Sequence, residues 1–244
     1  MLPRTQGSMR LWHRRLRSTV AGAFSLPELL VVIGIVAVLL GIALPVVYRV
    51  RQYAIRSQCA SNMRQIGVAL STYAAEQGGW TPRYGLYAHE RTPAHPIWIV
   101  AVAPLLNAPK GFGWDDLPKM AVLQCPSHPT EKIPTGYVLN AFAFETQPEW
   151  TGSPPVQIGK VRNPAAVAWL LEASDRFGPS KYGPYDAIFF EPYHVVRAPD
   201  QLGQRLSWQR HVRRTSNVMF ADGHVQTVNA PLPLERFDDG IRNR

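Results

Sequence analysis

Residues Gly22–Val47 read GAFSLPELLVVIGIVAVLLGIALPVV. From Leu29 to Val47 no side chain is charged or able to hydrogen-bond; the run is Leu, Val, Ile and Ala with two glycines and one proline. As an α-helix these residues reach roughly 28 Å, close to the ~30 Å hydrocarbon core of a bilayer. The run therefore predicts a membrane span. Ahead of it, residues 1–23 carry Arg4, Arg10, Arg14, Arg15 and Arg17 and no acid, a flank that keeps the N-terminus cytoplasmic and sends the rest of the chain across. The apolar run exceeds the roughly 7–15 residues of a secretory signal core, and no small-x-small cleavage site follows it. Between the basic flank and the apolar run stands one carboxylate, Glu28, which a plain signal anchor does not need.

Ala23, Phe24, Glu28 and Pro45 together resemble the N-terminus of type IV prepilins and type II secretion pseudopilins. Those precursors have a short basic leader, a small residue before the cut, Phe after it, Glu as the fifth residue of the mature chain and then an apolar helix. The usual residue before the cut is Gly; here Gly22 lies one position early and Ala23 takes that place. The resemblance implies cleavage between Ala23 and Phe24, methylation of the new Phe24 amine and a role for Glu28 in assembly. Pro27 supplies a separate physical reason. In a continuous helix its missing N–H would face the carbonyl of Ala23 and its ring would press on that carbonyl. In a chain starting at Phe24 the proline falls among the first helical residues, whose N–H groups have no intrahelical partner.

The chain of 244 residues has a formal charge of +9. Loss of the five leader arginines, with no acid lost, lowers this to +4, so most of the basicity belongs to membrane topology and calls for no nucleic-acid partner. Arg210, Arg213 and Arg214 read as a solvated rim, since nothing nearby resembles a recognition helix or a stacking platform. About 165 residues follow the helix, enough for one modest core.

Beyond the apolar run, Ile55, Cys59, Met63, Ile66, Leu70 and Tyr73 recur at spacings of three and four, which predicts that the same helix continues as an amphipathic one. Gly78-Gly79 and Pro82 end it. From Phe24 to Gln77 it would run roughly 80 Å. Within this half, Cys59-x-x-Asn62-x-x-Gln65-Ile66-Gly67 resembles a stretch of a planctomycete-type pseudopilin-like group, as does Leu123-Gln-Cys-Pro-Ser127. Gly67 in mid-helix implies close packing under a sheet. Cys59 and Cys125 are compatible with one disulfide in an oxidising compartment, and equally with two buried free thiols.

Several further segments read as structured. Trp98–Leu106 is a short apolar helical element, and Val122–Cys125 a short strand. Gly136–Phe144 alternates as a strand, and Val167–Glu172 is apolar enough to be central in a sheet. Residues 175–204 form a long insertion with at most one strand, Ala187–Phe190. In Val218-Met-Phe-Ala-Asp-Gly-His-Val-Gln-Thr-Val228 two alternating runs flank Asp222-Gly223, a strong hairpin signal. His211 resembles the histidine of the same group's His…Asp-Gly ending, with ten residues between where the group has nine.

Catalytic chemistry is not expected. Ser127 and Cys125 have no adjacent base and no nucleophile elbow in sequence. His211, Asp222 and His224, with His194 or Glu191, could be assembled into a metal site on paper. Their spacing is not that of a compact ligand set, and the turn already explains Asp-Gly. No metal or other cofactor is expected; calcium is the ion such oxygen donors would favour.

The expected fold is α+β and pilin-like, a long N-terminal membrane-spanning helix packed on an antiparallel β-sheet domain with long loops. Residues 1–23 form the leader removed by prepilin peptidase, 24–47 the transmembrane half of the helix, 48–78 its amphipathic half and 79–244 an extracytoplasmic β-rich domain. The expected function is a non-enzymatic, minor or specialised subunit of a type IV pilus or type II secretion pseudopilus. Its partners would be other pilin or pseudopilin subunits, prepilin peptidase and the lipid of the inner membrane. It would be single-pass, with its N-terminus in the cytoplasm. The reading from another class is a membrane-anchored binding module that uses the helix only as a tether.

Overall fold

The structure is a computed structural model that describes residues 25–82, 97–128, 135–140, 155–174, 189–190 and 205–237. Residues 1–24, with the expected leader, Ala23 and Phe24, lie outside these residues, as do residues 141–144 of the expected first strand, most of the 175–204 insertion, His194 and Glu191.

One helix, α1, spans Leu26–Glu76 without interruption, 51 residues in all. The chain divides at Val46 into two units. In the first, every described side chain is exposed, and nothing lies within 4 Å of the Cβ positions of Gly34 or Gly41. Pro45 lies inside the helix and removes one backbone hydrogen bond. The helix is long and apolar enough to cross a membrane.

In the second unit the expected stripe is the buried face. Cys59, Met63, Ile66 and Leu70 are fully buried, Tyr73 nearly so, and Ile55 packs against the same core. Arg51, Ser57, Arg64 and Ser71 take the exposed faces. Each fully buried Leu, Ile or Met side chain contributes roughly 1.5–3 kcal/mol, so the stripe binds this half of α1 firmly. Gly78 and Gly79, with φ of 64° and 90°, turn the chain out of the helix, and the Gly79 N–H bonds the carbonyl of Ala74.

The sheet has five strands: β1 Tyr137–Asn140, β2 Ala168–Glu172, β3 Phe189–Phe190, β4 Ser216–Phe220 and β5 Val225–Val228, in the order β3-β1-β2-β4-β5. β2 is central, as its continuous apolar run predicts. The four strands β1, β2, β4 and β5 pair antiparallel, as expected, while β3 departs from that pattern and pairs parallel to β1 at the edge. β2, running antiparallel to β1, already returns the chain to the end of the sheet where β1 begins, so β3 can start there and run parallel to β1. A register shift on β2 between Ala168 and Leu170 puts Trp169 and Leu170 on the same core.

One face of the sheet, with Tyr137, Leu139, Trp169 and Met219, joins the core that α1 and α2 (Trp98–Val102) complete. The other face, with Val138, Leu171, Val218 and Phe220, packs on Leu206 and Phe237. The Cβ of an alanine at Gly67 would lie 2.3 Å from Met219 Sδ, so the glycine permits the close approach read from the sequence. Val122–Cys125 is not a strand. Residues Ala121–Leu123 form a 3₁₀ turn, and the Leu123 carbonyl accepts from the Gly136 N–H and the Thr135 hydroxyl.

Candidate functional site

The first place to weigh is the start of α1. Leu26, Pro27 and Glu28 are its first three residues, with Ser25 as the cap. Glu28 Oε2 accepts from the Ser25 N–H at 2.9 Å and from the Ser25 hydroxyl at 2.8 Å. This is the reciprocal arm of a capping box: the acid at the third helical position satisfies the amide of the cap. The signal Ser25-x-x-Glu28 stands in the sequence and finds this partner directly. Both bonds use Oε2; Oε1 takes part in neither. Pro27, at the second helical position, has no N–H to lose there.

The second place is wholly buried, and sequence reasoning did not find it. Cys59 on α1 and Cys125 form a disulfide, which settles the alternative left open by the two cysteines. Asn62, one turn beyond Cys59, holds the Cys125 segment by donating to the carbonyls of Ala121 and Gln124. Gly136 lets β1 pass against it, since a Cβ there would lie 2.6 Å from the Cys125 nitrogen.

His211 closes on the bridge from the far end of the sequence. A tight reversal pairs His211 with Thr215, and its tip holds Arg213 and Arg214 at φ of 58° and 54°. Left-handed conformations at two non-glycine residues are costly, and their presence marks a geometry that the rest of the structure enforces. His211 Nε2 lies 2.6 Å from Glu172 Oε1 and 3.9 Å from Cys125 Sγ, and its Nδ1 lies 3.4 Å from Ser127 Oγ. The side chains of His211 and Glu172 are 1% and 0% exposed. Glu172 ends β2, where Asn217 of β4 donates its backbone N–H to Oε2 and its amide to Oε1. Ser127 and Cys125 thus have a base beside them in space, although none is adjacent in sequence.

The third place is the β4–β5 hairpin. The Gly223 N–H bonds the Phe220 carbonyl, and the Phe220 N–H bonds the carbonyl of His224, so the loop is Ala221–Gly223 with Gly223 at φ 88°. Asp222 Oδ1 accepts from the His224 N–H at 3.1 Å and lies 2.6 Å from His224 Nδ1. Partial burial pushes the Asp222 carboxyl up, but the two bonds from His224 outweigh it and hold the carboxyl below its ordinary value. The His224 ring stacks on Phe220. His211 therefore pairs with Glu172, and Asp222 with His224. Among the described residues, the group of His, Cys, Asp and Glu donors close enough to share an ion is Cys59, Cys125, Glu172 and His211, a different set from the one the sequence suggested.

No family model, no curated protein and no solved structure matches the chain.

Proposed function

We propose that the chain is a non-enzymatic structural subunit, of the minor or specialised kind, of a type IV pilus or type II secretion pseudopilus. It is made as an inner-membrane precursor, cut between Ala23 and Phe24 by prepilin peptidase and methylated at Phe24. The observation that carries this reading is the contrast along α1. Its first half exposes an uninterrupted apolar surface on all sides, whereas the half from Cys59 to Ala74 buries one face in a folded core. A lipid anchor alone needs only the first half. A fibre subunit needs both, one half to pack with other subunits and one to carry the domain.

The cap geometry suits the same reading. The Ser25 amide and hydroxyl stay with the chain after a cut at Ala23, so Glu28 keeps these two bonds in the mature form, and Oε1 can still meet a cation. The new amine of Phe24 lies four residues from Glu28, near enough to pair within one chain, and in a fibre it can pair with the Glu28 of a neighbour. Pairing between chains sets axial register, which apolar faces sliding on one another do not.

The test is Glu28→Ala in the native membrane, read by cross-linking to the other subunits alongside a cleavage assay. The expected result is normal insertion, cleavage and folding with loss of cross-links. Undiminished cross-linking would contradict a register role for Glu28. A parent chain that cross-links to no other subunit would favour the tethered binding module.

A further inference from the structure

We propose that Cys59, Cys125, His211 and Glu172 bind a zinc-like divalent ion when the two cysteines are thiols, and that closing the disulfide dismantles the site. One donor atom from each of these buried residues lies within 4.8 Å of the others. Two sulfurs, an imidazole nitrogen and a carboxylate oxygen are a donor set that suits a borderline-soft tetrahedral ion. Bonds of about 2.3 Å to sulfur and about 2.0 Å to nitrogen or oxygen put neighbouring donors roughly 3.3–3.8 Å apart. Cys125 Sγ already stands 3.9 Å from His211 Nε2. Nε2 and Glu172 Oε1, at 2.6 Å, need to part by only about 1 Å, and the sulfurs separate by side-chain rotation once unbonded.

The surroundings hold these donors as a metal site's outer groups do. Ser127 Oγ lies beside His211 Nδ1, so Nε2 is the nitrogen turned to the cluster. Asn217 fixes both oxygens of Glu172 and is itself fixed by the Thr227 hydroxyl. Such second bonds orient ligands and set their tautomer. A disulfide needs none of them. A fully buried His–Glu pair adds little stability over apolar residues of the same volume, so its place against both cysteines points to a use the four residues share.

The chemistry balances without further groups. On binding, each thiol releases a proton to solvent, the proton between His211 Nε2 and Glu172 Oε1 is given up as the imidazole takes the tautomer with its N–H at Nδ1 toward Ser127 Oγ, and the ion exchanges water ligands for two sulfur, one nitrogen and one oxygen bond. On closing, the two thiolates give two electrons to an oxidant of the disulfide class. The oxidant's S–S bond breaks and, with two protons, yields two thiols; the Cys59–Cys125 bond forms, and the ion leaves with its charge unchanged.

The experiment uses the full chain in detergent, reduced with a phosphine that is then removed under anaerobic conditions. Far-ultraviolet circular dichroism checks the fold, and Co2+ is titrated as the spectroscopic stand-in for Zn2+. The expected result is one tightly bound Co2+ per folded, reduced chain, with the visible bands of tetrahedral cobalt and a sulfur-to-cobalt charge-transfer band. The oxidised chain should show neither. Ser127→Ala, which spares the core, should weaken binding about tenfold, and His211→Gln should weaken it further. The proposal is overturned by a reduced, folded chain without the charge-transfer band, by equal binding in the oxidised chain, by both variants binding as tightly as the parent, or by loss of the fold on reduction.

Discussion

Gly223 carries the turn of the β4–β5 hairpin at φ 88°, a conformation that a β-branched residue adopts only under strain. Gly223→Val should lower the stability of the domain by more than ~1 kcal/mol, measured by thermal or denaturant unfolding. Asp222 is a milder case. Asp222→Asn keeps an oxygen to accept from the His224 N–H, so stability near neutral pH should change little. The acid limb should differ. Because the folded Asp222 carboxyl sits below its ordinary value of about 3.9, its contribution is present above that value and is lost as pH falls through the lowered one. The stability of the parent should therefore fall in this range, where the Asp222→Asn variant lacks that site's loss; parallel acid curves would contradict the pairing. At this scale Asp222-Gly223 was legible because a turn residue announces itself locally. Glu172 was not, because its partner His211 is 39 positions away, and the pairing of β2 with β4 together with the His211–Thr215 bridge just before β4 brings the two together.

Among the elements, α1 was the most legible, since a pattern repeating every three to four residues over so many turns admits one reading. Its stripe from Ile55 to Tyr73 is the face that the core covers. Gly67 offers a direct test of that contact. In a free helix Gly67→Ala would gain about 1 kcal/mol, but here the new Cβ meets the buried Met219 thioether, and overpacking costs roughly 1–3 kcal/mol. Gly67→Ala should therefore fail to stabilise the parent, whereas in a Met219→Ala background it should stabilise. A double-mutant cycle by denaturant unfolding reads the coupling, and its absence would place α1 away from β4. The disulfide between α1 and the segment before β1 joins residues 66 apart, a closure that stabilises by about 4 kcal/mol in the chain-entropy view. Its existence was open in the sequence because pairing depends on the fold. The segment Val122–Cys125 misled because a short apolar run fits a strand and a 3₁₀ turn equally well; the bonds from the Leu123 N–H to the Met120 carbonyl and from the Gln124 N–H to the Ala121 carbonyl make it the turn.

For the molecule as a whole, a basic N-terminal flank, one apolar helix and a folded β-rich unit can describe either an anchored domain or a fibre subunit. The folded core accounts for the amphipathic half of α1, and the capping bonds from Ser25 account for Glu28 at the helix start. The apolar half, with all its described side chains exposed, calls for lipid or for sister helices to cover it. Export by the prepilin route separates a fibre subunit from a plain anchor, and the route leaves a covalent mark. The most direct measurement is mass spectrometry of the N-terminal peptide of the protein extracted from its native membrane. The expected result is a chain that begins at Phe24 and carries one methyl group on its amine. A chain that still begins at Met1, or one cut elsewhere and unmethylated, would contradict the central claim.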